Sequence, residues 1–463
     1  MSRHTSANPQ QMTPMERRAA VSLAGIFSIR MLGLFMLLPV ISLYQDRLIG
    51  ATPALIGFAI GVYGLTQGLL QIPFGLLSDR WGRKPIIYMG LGLFVIGSVV
   101  AALSDSIYGI IAGRALQGCG AIAAAVMALA ADLTREEHRT KAMALIGMSI
   151  GSAFALALVL GPLFDHWFGL SGLFWFTAIM AIVAILVLKF RVPNPVVQRV
   201  HREAQPVPAQ FREVLADTQL LRLNLGIFML HMILTASFVV FPLVLSRELG
   251  IDPSHHWWIY LPVLLLSVAA MLPFIIIAER KRRIKQVFLG AIAIIGIAQL
   301  GLSLGYRETW SAVAFLWLFF TAFNLLEASL PSLVSKIAPP ASKGTAMGFY
   351  SSSQFLGAFL GGSFGGIMQG LWGYGAVFAL SASMAVVWLL VAASMKAPRY
   401  LTSYLLNIGD IPPHQAKLLA SELNSVAGVA EAVVIVEDQV AYLKVDRKTL
   451  DEDRLLEFSA STE

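Results

Sequence analysis

The stretch Gly75-Leu76-Leu77-Ser78-Asp79-Arg80-Trp81-Gly82-Arg83-Lys84 decides how this chain is read. One acid and three bases are packed into it, directly after an uncharged run from Ala51 to Ser78. Another apolar run begins at Pro85. A bilayer crossing needs ~20 mostly apolar residues, so a knot of charge between two such runs marks a short loop at a membrane surface. The rest of the 463-residue chain repeats this pattern. Hydrophobic residues make up 57% and charged residues 13%, about half the charged share of a soluble domain. Twelve runs are long and apolar enough to cross: 19–44, 53–78, 85–104, 106–131, 142–164, 167–188, 223–246, 257–278, 286–306, 309–335, 344–368 and 371–395. The last two share one uncharged run from Gly344 to Met395, divided at Gln369–Gly375, where glycines and aromatics suit an interfacial turn.

Charge distribution sets the expected topology. The net charge is +7, yet it marks no nucleic-acid site, because the bases alternate between loops. Through Arg399, one set of loops carries 24 Lys and Arg, and the other set only Arg47, Arg247 and Arg307. The positive-inside rule therefore expects both termini in the cytoplasm. The first span is longer than a signal-peptide core and lacks a convincing cleavage site, so it reads as retained. The one cysteine, Cys119, falls inside a span, which excludes an intrachain disulfide and fits a small apolar filler.

The chain also repeats itself. Ile72-Pro73-Phe74 and the charged loop after it are echoed by Leu272-Pro273-Phe274 followed by Glu279-Arg280, and Lys141-Ala142-Met143 by Thr345-Ala346-Met347. Six spans per copy in the same orientation make two parallel halves. The expected organisation is an N-terminal extension 1–18, a first half 19–188, a charged linker 189–222 with a short helix near Phe211–Leu215, a second half 223–397 and a tail 398–463.

The opening stretch, as Gly75-x-x-x-Asp79-Arg80-x-Gly82-Arg83-Lys84, resembles the signature loop of the major facilitator superfamily at every specified position. The resemblance covers residues 15–397 and implies an all-α polytopic membrane protein, a secondary transporter that works by alternating access. For the loop it implies a conformational latch. Asp79 would cap the start of span 11 at Ser342-Lys343-Gly344-Thr345 when that side is closed, since a helix N-terminus offers free N–H groups and partial positive charge. Arg83 would reach Asp132, with Arg80 and Lys84 as the loop's other bases. Gly75 would allow close helix approach and Gly82 the tight turn. Arg114 in Arg114-Ala115-Leu116-Gln117-Gly118 resembles a second family motif, whose arginine is tied to proton transfer. Gly147, Gly151 and Gly161-Pro162 in span 5 resemble the antiporter motif of drug-exporting members, where small residues pack closely and the proline bends the helix. The continuation Leu163-Phe164-Asp165-His166 departs from that motif by lacking its glycine pair.

Ionisable residues inside membrane spans are costly and mark functional sites by default. Arg30 lies near the middle of span 1, and Arg114 in span 4 is near enough to one end to snorkel outward. Glu327 in span 10 is the one acid well inside a span, which makes it the first choice for a protonatable coupling group; pairing with Arg30 or hydrogen bonding to span 4 is the structural alternative. His231 in span 7 is a candidate proton relay. Gln67, Gln71, Asn324 and Gln354 fit either a polar path or interhelical hydrogen bonds.

After Pro398 the character changes. Residues 400–463 hold eleven acids against five bases. Strand signals at Thr402–Ile408, Ala432–Val436 and Val440–Val445, and helix signals at Pro412–Val426 and Leu450–Phe458, give a βαββα order suited to a small α+β ferredoxin-like domain. It resembles heavy-metal-associated domains in plan but has no Cys-x-x-Cys pair, so no metal site is expected. No Walker loop or other cofactor motif is present, and no enzyme signature competes. The whole reads as a proton-coupled exporter of a small, partly apolar solute in a bacterial inner membrane, not an enzyme. The alternatives are a metabolite or sugar importer of the same fold, or a non-transporting receptor with the tail as output. The expected partners are the solute, protons and the lipid bilayer. The acidic tail is expected to bind a cytoplasmic ligand or to dock on basic loops such as Arg280–Lys285.

Overall fold

The structure is a computed structural model, and it describes residues 12–195, 207–339, 342–396, 402–436, 439–446 and 449–459. The far N-terminus, the middle of the linker, the joint before the tail and the expected hairpin turn at Glu437-Asp438 lie outside these residues. The membrane part is built from α1 (Pro14–Phe35), α2 (Pro53–Trp81), α3 (Arg83–Ala102), α4 (Ile107–Cys119), α5 (Ala123–Asp132), α6 (Glu136–Phe190), a short α7 (Phe211–Ala216), α8 (Thr218–Leu243), α9 (Trp257–Arg280), α10 (Ile284–Gly305), α11 (Thr309–Ile337), α12 (Lys343–Trp372) and α13 (Tyr374–Ala393). Among the described residues, ten helical segments have the length and apolarity to cross a membrane. One of them is α6, which bends back on itself into two crossings, and Gly- and Ser-rich α12 adds a twelfth.

Two boundaries differ from the sequence expectation. Span 4 is not one helix: it breaks at Gly120-Ala121-Ile122 between α4 and α5. Gly120 lies against the backbone of Gly90, so the break lets α3 and span 4 approach backbone to backbone. Spans 5 and 6 do not part at Asp165-His166. The helix runs on to Gly169, whose φ of 65° makes the corner that a side chain would resist. Asp165 therefore sits inside helix α6, and Glu327 is not the only acid within a helical span.

Each half buries small residues where helices cross. Gly161 of α6 lies against the Met36 carbonyl at the end of α1, and Gly365 of α12 against Ala236 of α8, equivalent places in the two copies. Without a hydrophobic driving force between helices in lipid, such close approach supplies the dispersion contacts that hold a bundle together. Between the halves, α12 presents a second glycine row, Gly362 and Gly366, to Gly57, Gly61 and Pro53 of α2. The α8 segment is 89% buried while α9 is 22% buried, so α8 is central and α9 faces the surroundings with Leu265, Leu266 and Ile276.

An even number of crossings puts the start of α1, the described linker residues 207–216 and the described tail on one face, here the terminal face. On the opposite face two polar bridges join the halves: Arg247 to Asp46 at 2.5 Å and Gln369 to Gln45 at 3.0 Å. The tail is β1 (Thr402–Asn407), α14 (Ala416–Ser425), β2 (Val429–Ile435), β3 (Val440–Val445) and α15 (Glu452–Leu456). Its antiparallel sheet has the order β1-β3-β2. The βαββα order matches the sequence reading. Leu406, Ala441, Leu443 and Val445 meet Leu423 of α14 and Leu455 of α15, while Val440 and Tyr442 line the other face. Lys444 shares that second face and donates Nζ to the Lys336 and Ile337 carbonyls at 2.9 and 3.1 Å. These are end carbonyls of α11, which lack helical partners. Asp446 accepts from Arg282 at 3.3 Å in the basic α9–α10 loop.

Candidate functional site

The charged loop forms because Gly82, with φ 95°, is at once the end of α2 and the start of α3. That single-residue corner leaves Asp79 on the last turn of α2 and Arg83 on the first turn of α3, within reach of each other. Arg83 is buried, with 2% of its side chain exposed. It is held by Asp79, by Ser78 Oγ at 2.9 Å and by Asp132 at 3.3 Å. Ser78 in turn donates to the Gly75 carbonyl at 2.7 Å. The fork of the guanidinium thus joins the end of α2 to the end of α5. Lys84 reaches the Val192 carbonyl after α6, and Arg80 is exposed. At the start of α12, Thr345 Oγ1 accepts from Val207 N and donates to Gln210 of the linker at 3.0 Å.

Arg30 and Arg114 lie deep in the first half, each 1% exposed. Arg114 does not snorkel. Its Nε and Nη2 donate to the Ala59 and Ile60 carbonyls of α2 at 3.4 Å, and Nη1 to Gln117 at 3.1 Å. Gln117 passes the chain on to Ser98 of α3 at 2.8 Å. Gly118 permits this by lying against the Tyr63 carbonyl and Thr66. Arg30 donates Nη2 to Gln67 Oε1, and Gln67 donates to Gln71 at 3.1 Å. Both guanidiniums lie over the ring of Tyr63, at 5.9 Å for Arg30 and 5.0 Å for Arg114.

Glu327 belongs to a different cluster, and the structural alternative of an Arg30–Glu327 pair is not what the structure shows. Gln354 of α12 donates Nε2 to Glu327 Oε1 at 3.4 Å and stands 2.8 Å from His231 Nε2. His231 Nδ1 lies 3.3 Å from the Ile227 carbonyl, which makes Nδ1 the protonated nitrogen of a neutral ring and leaves Nε2 as acceptor. The second Glu327 oxygen, Oε2, is 3.9 Å from His231 Nε2 and has no hydrogen-bond partner. Glu327 keeps 36% of its side chain exposed in the middle of α11, against 9% for His231. A carboxylate with an unpartnered, buried oxygen beside an accepting imidazole forms a group that can take up and release a proton. Asn324, one turn away, donates to Ser267 of α9 at 2.9 Å and serves packing.

The span 5 glycines divide. Gly161 is in close contact as expected, next to Pro162, but Gly147 and Gly151 are not: a Cβ on either would meet nothing within 4 Å. The close packing expected of them is absent in this conformation, because the α6 surface that carries them borders open space. Two polar features escaped the sequence reading. Glu16 accepts from the Arg135 backbone at 2.7 Å and from its guanidinium at 3.0 Å, tying α1 to the α5–α6 corner. Tyr44 donates to Asp165 at 2.6 Å and accepts from Leu170 N at 3.0 Å, bracing the Gly169 corner. Both contacts span more than a hundred residues, so no local pattern signals them.

Two six-helix halves around a polar centre, with a charged corner between the second and third spans, define the class of secondary transporters. The chain belongs to the Major Facilitator Superfamily, whose profile matches residues 23–224 and 223–405. It is a multi-pass membrane transporter and not an enzyme. It is 50% identical over 442 residues to Inner membrane transport protein YajR of Escherichia coli, across 95% of this chain and 97% of that protein. Multidrug resistance protein MdtH of Proteus mirabilis is 26% identical over 340 residues, across 73% and 83% of the two chains. A solved bacterial homolog of the human lysosomal transporter Spinster superposes with a TM-score of 0.66, covering 82% of this chain and 96% of that one. At 15% identity it shows the fold alone.

Proposed function

We propose that the protein exports a small, partly apolar solute from the cytoplasm across a bacterial inner membrane in exchange for protons. The excess of Lys and Arg on the terminal-face loops supports a cytoplasmic side for that face and the tail. The Glu327–Gln354–His231 cluster carries the proposal. It is a proton-accepting group inside the membrane domain, on helices that move with the second half. Protonation of Glu327 removes a charge from the centre and shifts the balance between states open to either side. The signature loop is the latch: Asp79, Arg83 and Asp132 hold α2, α3 and α5 as one unit, and Asp79 exchanges partners as the terminal face closes on the start of α12. The resemblance to MdtH, named for multidrug resistance, favours export.

The test is Glu327→Gln in proteoliposomes with an imposed pH gradient and a panel of labelled solutes. Gln keeps the shape of the neutral acid, so gradient-driven accumulation is lost while solute exchange at equal pH continues. Undiminished uphill transport in this variant rules out Glu327 as the coupling group. Accumulation only in the import direction replaces export by import.

A further inference from the structure

The first half buries two cations without an anion. Arg30 and Arg114 are each 1% exposed, and among the described residues neither is hydrogen-bonded or ion-paired to a carboxylate. Their common neighbour is the Tyr63 ring, which holds cations by its quadrupole but does not cancel charge. Arg114 has spent its donors on helix carbonyls and Gln117. Arg30 has not. Its Nε and Nη1 are buried with no hydrogen-bond partner, and the hydroxyl of Tyr63, whose ring lies under the guanidinium, is also buried and unpartnered. A buried ion is costly unless paired and hydrogen-bonded, so two unpartnered donor nitrogens on a buried guanidinium point to a counter-charge that comes and goes.

We propose that Arg30, with the Tyr63 hydroxyl, binds the anionic headgroup of the transported solute, and that the solute is an amphipathic organic anion. Nε–H and the Nη1 hydrogens point to different edges of the guanidinium, so one oxygen of a carboxylate or phosphate would take a donor from Arg30 and another the Tyr63 hydroxyl. Gln67 is already fixed between Arg30 and Gln71 and holds the fork in place. The site lies on the seam, since Phe355 of α12 packs on Tyr63 at 6.4 Å, so the halves must part for the headgroup to enter. An apolar wall is within reach. Phe35 lies five residues along α1 from Arg30, ~7.5 Å of helix, and packs on Phe154 of α6 at 5.1 Å. Phe154 meets Phe320 and Phe323 of α11 at 6.1 and 5.9 Å across the seam, and Phe323 stacks near His231 at 5.9 Å. An acid with its headgroup on Arg30 and its body on these rings would touch both halves and the neighbourhood of the proton site. This assignment rests on the export reading and names its substrate class.

The test is equilibrium binding by full-length protein in micelles, followed by thermal melting and tryptophan fluorescence. The probes are butanoate, hexanoate and benzoate, each against the alcohol and the ammonium ion of the same carbon skeleton. At least one carboxylate should raise the melting temperature with dose, while its alcohol and ammonium counterparts do not. Arg30→Gln should weaken that binding at least tenfold. The proposal is overturned if no carboxylate outperforms its alcohol, if the ammonium ions bind as well, or if Arg30→Gln binds like the parent. It is also overturned if carboxylate binding emerges only in Glu327→Gln, which would make Glu327 the native counter-charge of Arg30. Charge selectivity of the parent protein decides the matter even where Arg30→Gln fails to fold. Binding in micelles needs no gradient, so its failure leaves proton coupling standing, and loss of coupling leaves this assignment standing.

Discussion

Two small-residue surfaces, one on α12 at the seam between the halves and one on α6, are in opposite conditions. On α12, Gly362 and Gly366 lie against the backbone of α2 at Gly57, Gly61 and Pro53, and contact continues to Gly68 beside Ser352 and Leu356. On α6, Gly147 and Gly151 face nothing within 4 Å. The first surface runs from the opposite face to the middle of α2, where the Asp46–Arg247 and Gln45–Gln369 bridges also lie. The second belongs to the terminal end of α6. A glycine with no neighbour gains nothing from lacking a side chain and carries the helix penalty of ~0.5–1 kcal/mol relative to Ala. Its use must then lie in a conformation where the surface is covered. Backbone contact thus holds α2 against α12, while the α6 surface stands uncovered. The largest expected effect therefore comes from wedging the shut end. In Gly57→Leu the side chain would enter the backbone of α12 at Gly362, overpacking that costs ~1–3 kcal/mol or more. Cross-linking of Asp46→Cys with Arg247→Cys, in a Cys119→Ser background, should drop sharply, and transport should be lost. Undiminished cross-linking would show that the seam is looser than backbone contact.

The latch comes next in size. Asp79 is one of two carboxylates on buried Arg83, and the other, Asp132, stays in Asp79→Asn. Loss of a helix-end charge interaction is worth ~0.3–1 kcal/mol when exposed and up to ~2 when partly buried. Asp79 is 22% exposed, which puts the shift between states at several-fold. A thiol at Gly151→Cys reports it directly, because that position faces open space. Labelling there should rise several-fold in Asp79→Asn, and unchanged labelling reduces the loop to an interfacial anchor.

Much of this was legible in the sequence for physical reasons that differ by region. The Gly82 corner follows from a charge knot between two uncharged runs, and the tail's strands follow from alternation, as at Val440–Val445. The break at Gly120 was not visible, because it lies in apolar surroundings, while the bend after span 5 was read at the polar pair Asp165-His166 and falls three residues later at Gly169. Glu327 stood out as a buried acid, but its partners did not: Gln354 and His231 come from two other helices, brought together by the glycine contacts of α12 on α8. The free donors of Arg30 are equally invisible, since sequence shows a charge and not what fails to pair with it.

The tail docks at the terminal face. Both of its described polar links, Lys444 to the end of α11 and Asp446 to Arg282, go to the second half, so it rides with one side of the parted seam. Burial pushes the Lys444 amine below its ordinary range. The docked tail thus holds fewer protons than the free one, and docking strengthens as pH rises toward the usual lysine value of 10.5. Lys444→Met keeps the apolar stem and removes two charge-assisted hydrogen bonds, together ~1.5–3 kcal/mol at most. Spin labels at Glu431→Cys and Lys281→Cys should show a broadened distance distribution in that variant. A distribution as narrow as the parent's would mean the sheet face, with Tyr442 and Val440, docks without the amine.

The smallest effect expected is the most exacting for the comparison. Gly151→Ala adds one methyl group to a helix surface that has no neighbour within 4 Å in this conformation. In the shut state of that surface the same methyl would meet another helix. Melting of the protein should therefore stay level or rise by the ~0.5–1 kcal/mol that alanine gains over glycine inside a helix, while turnover falls because the terminal end closes less readily. Stability and transport moving in opposite directions is the signature of a glycine kept for an absent state. A drop in melting temperature would mean that this end of the seam is already packed in solution, and a rise with unchanged turnover would mean that α6 never closes on another helix at this point.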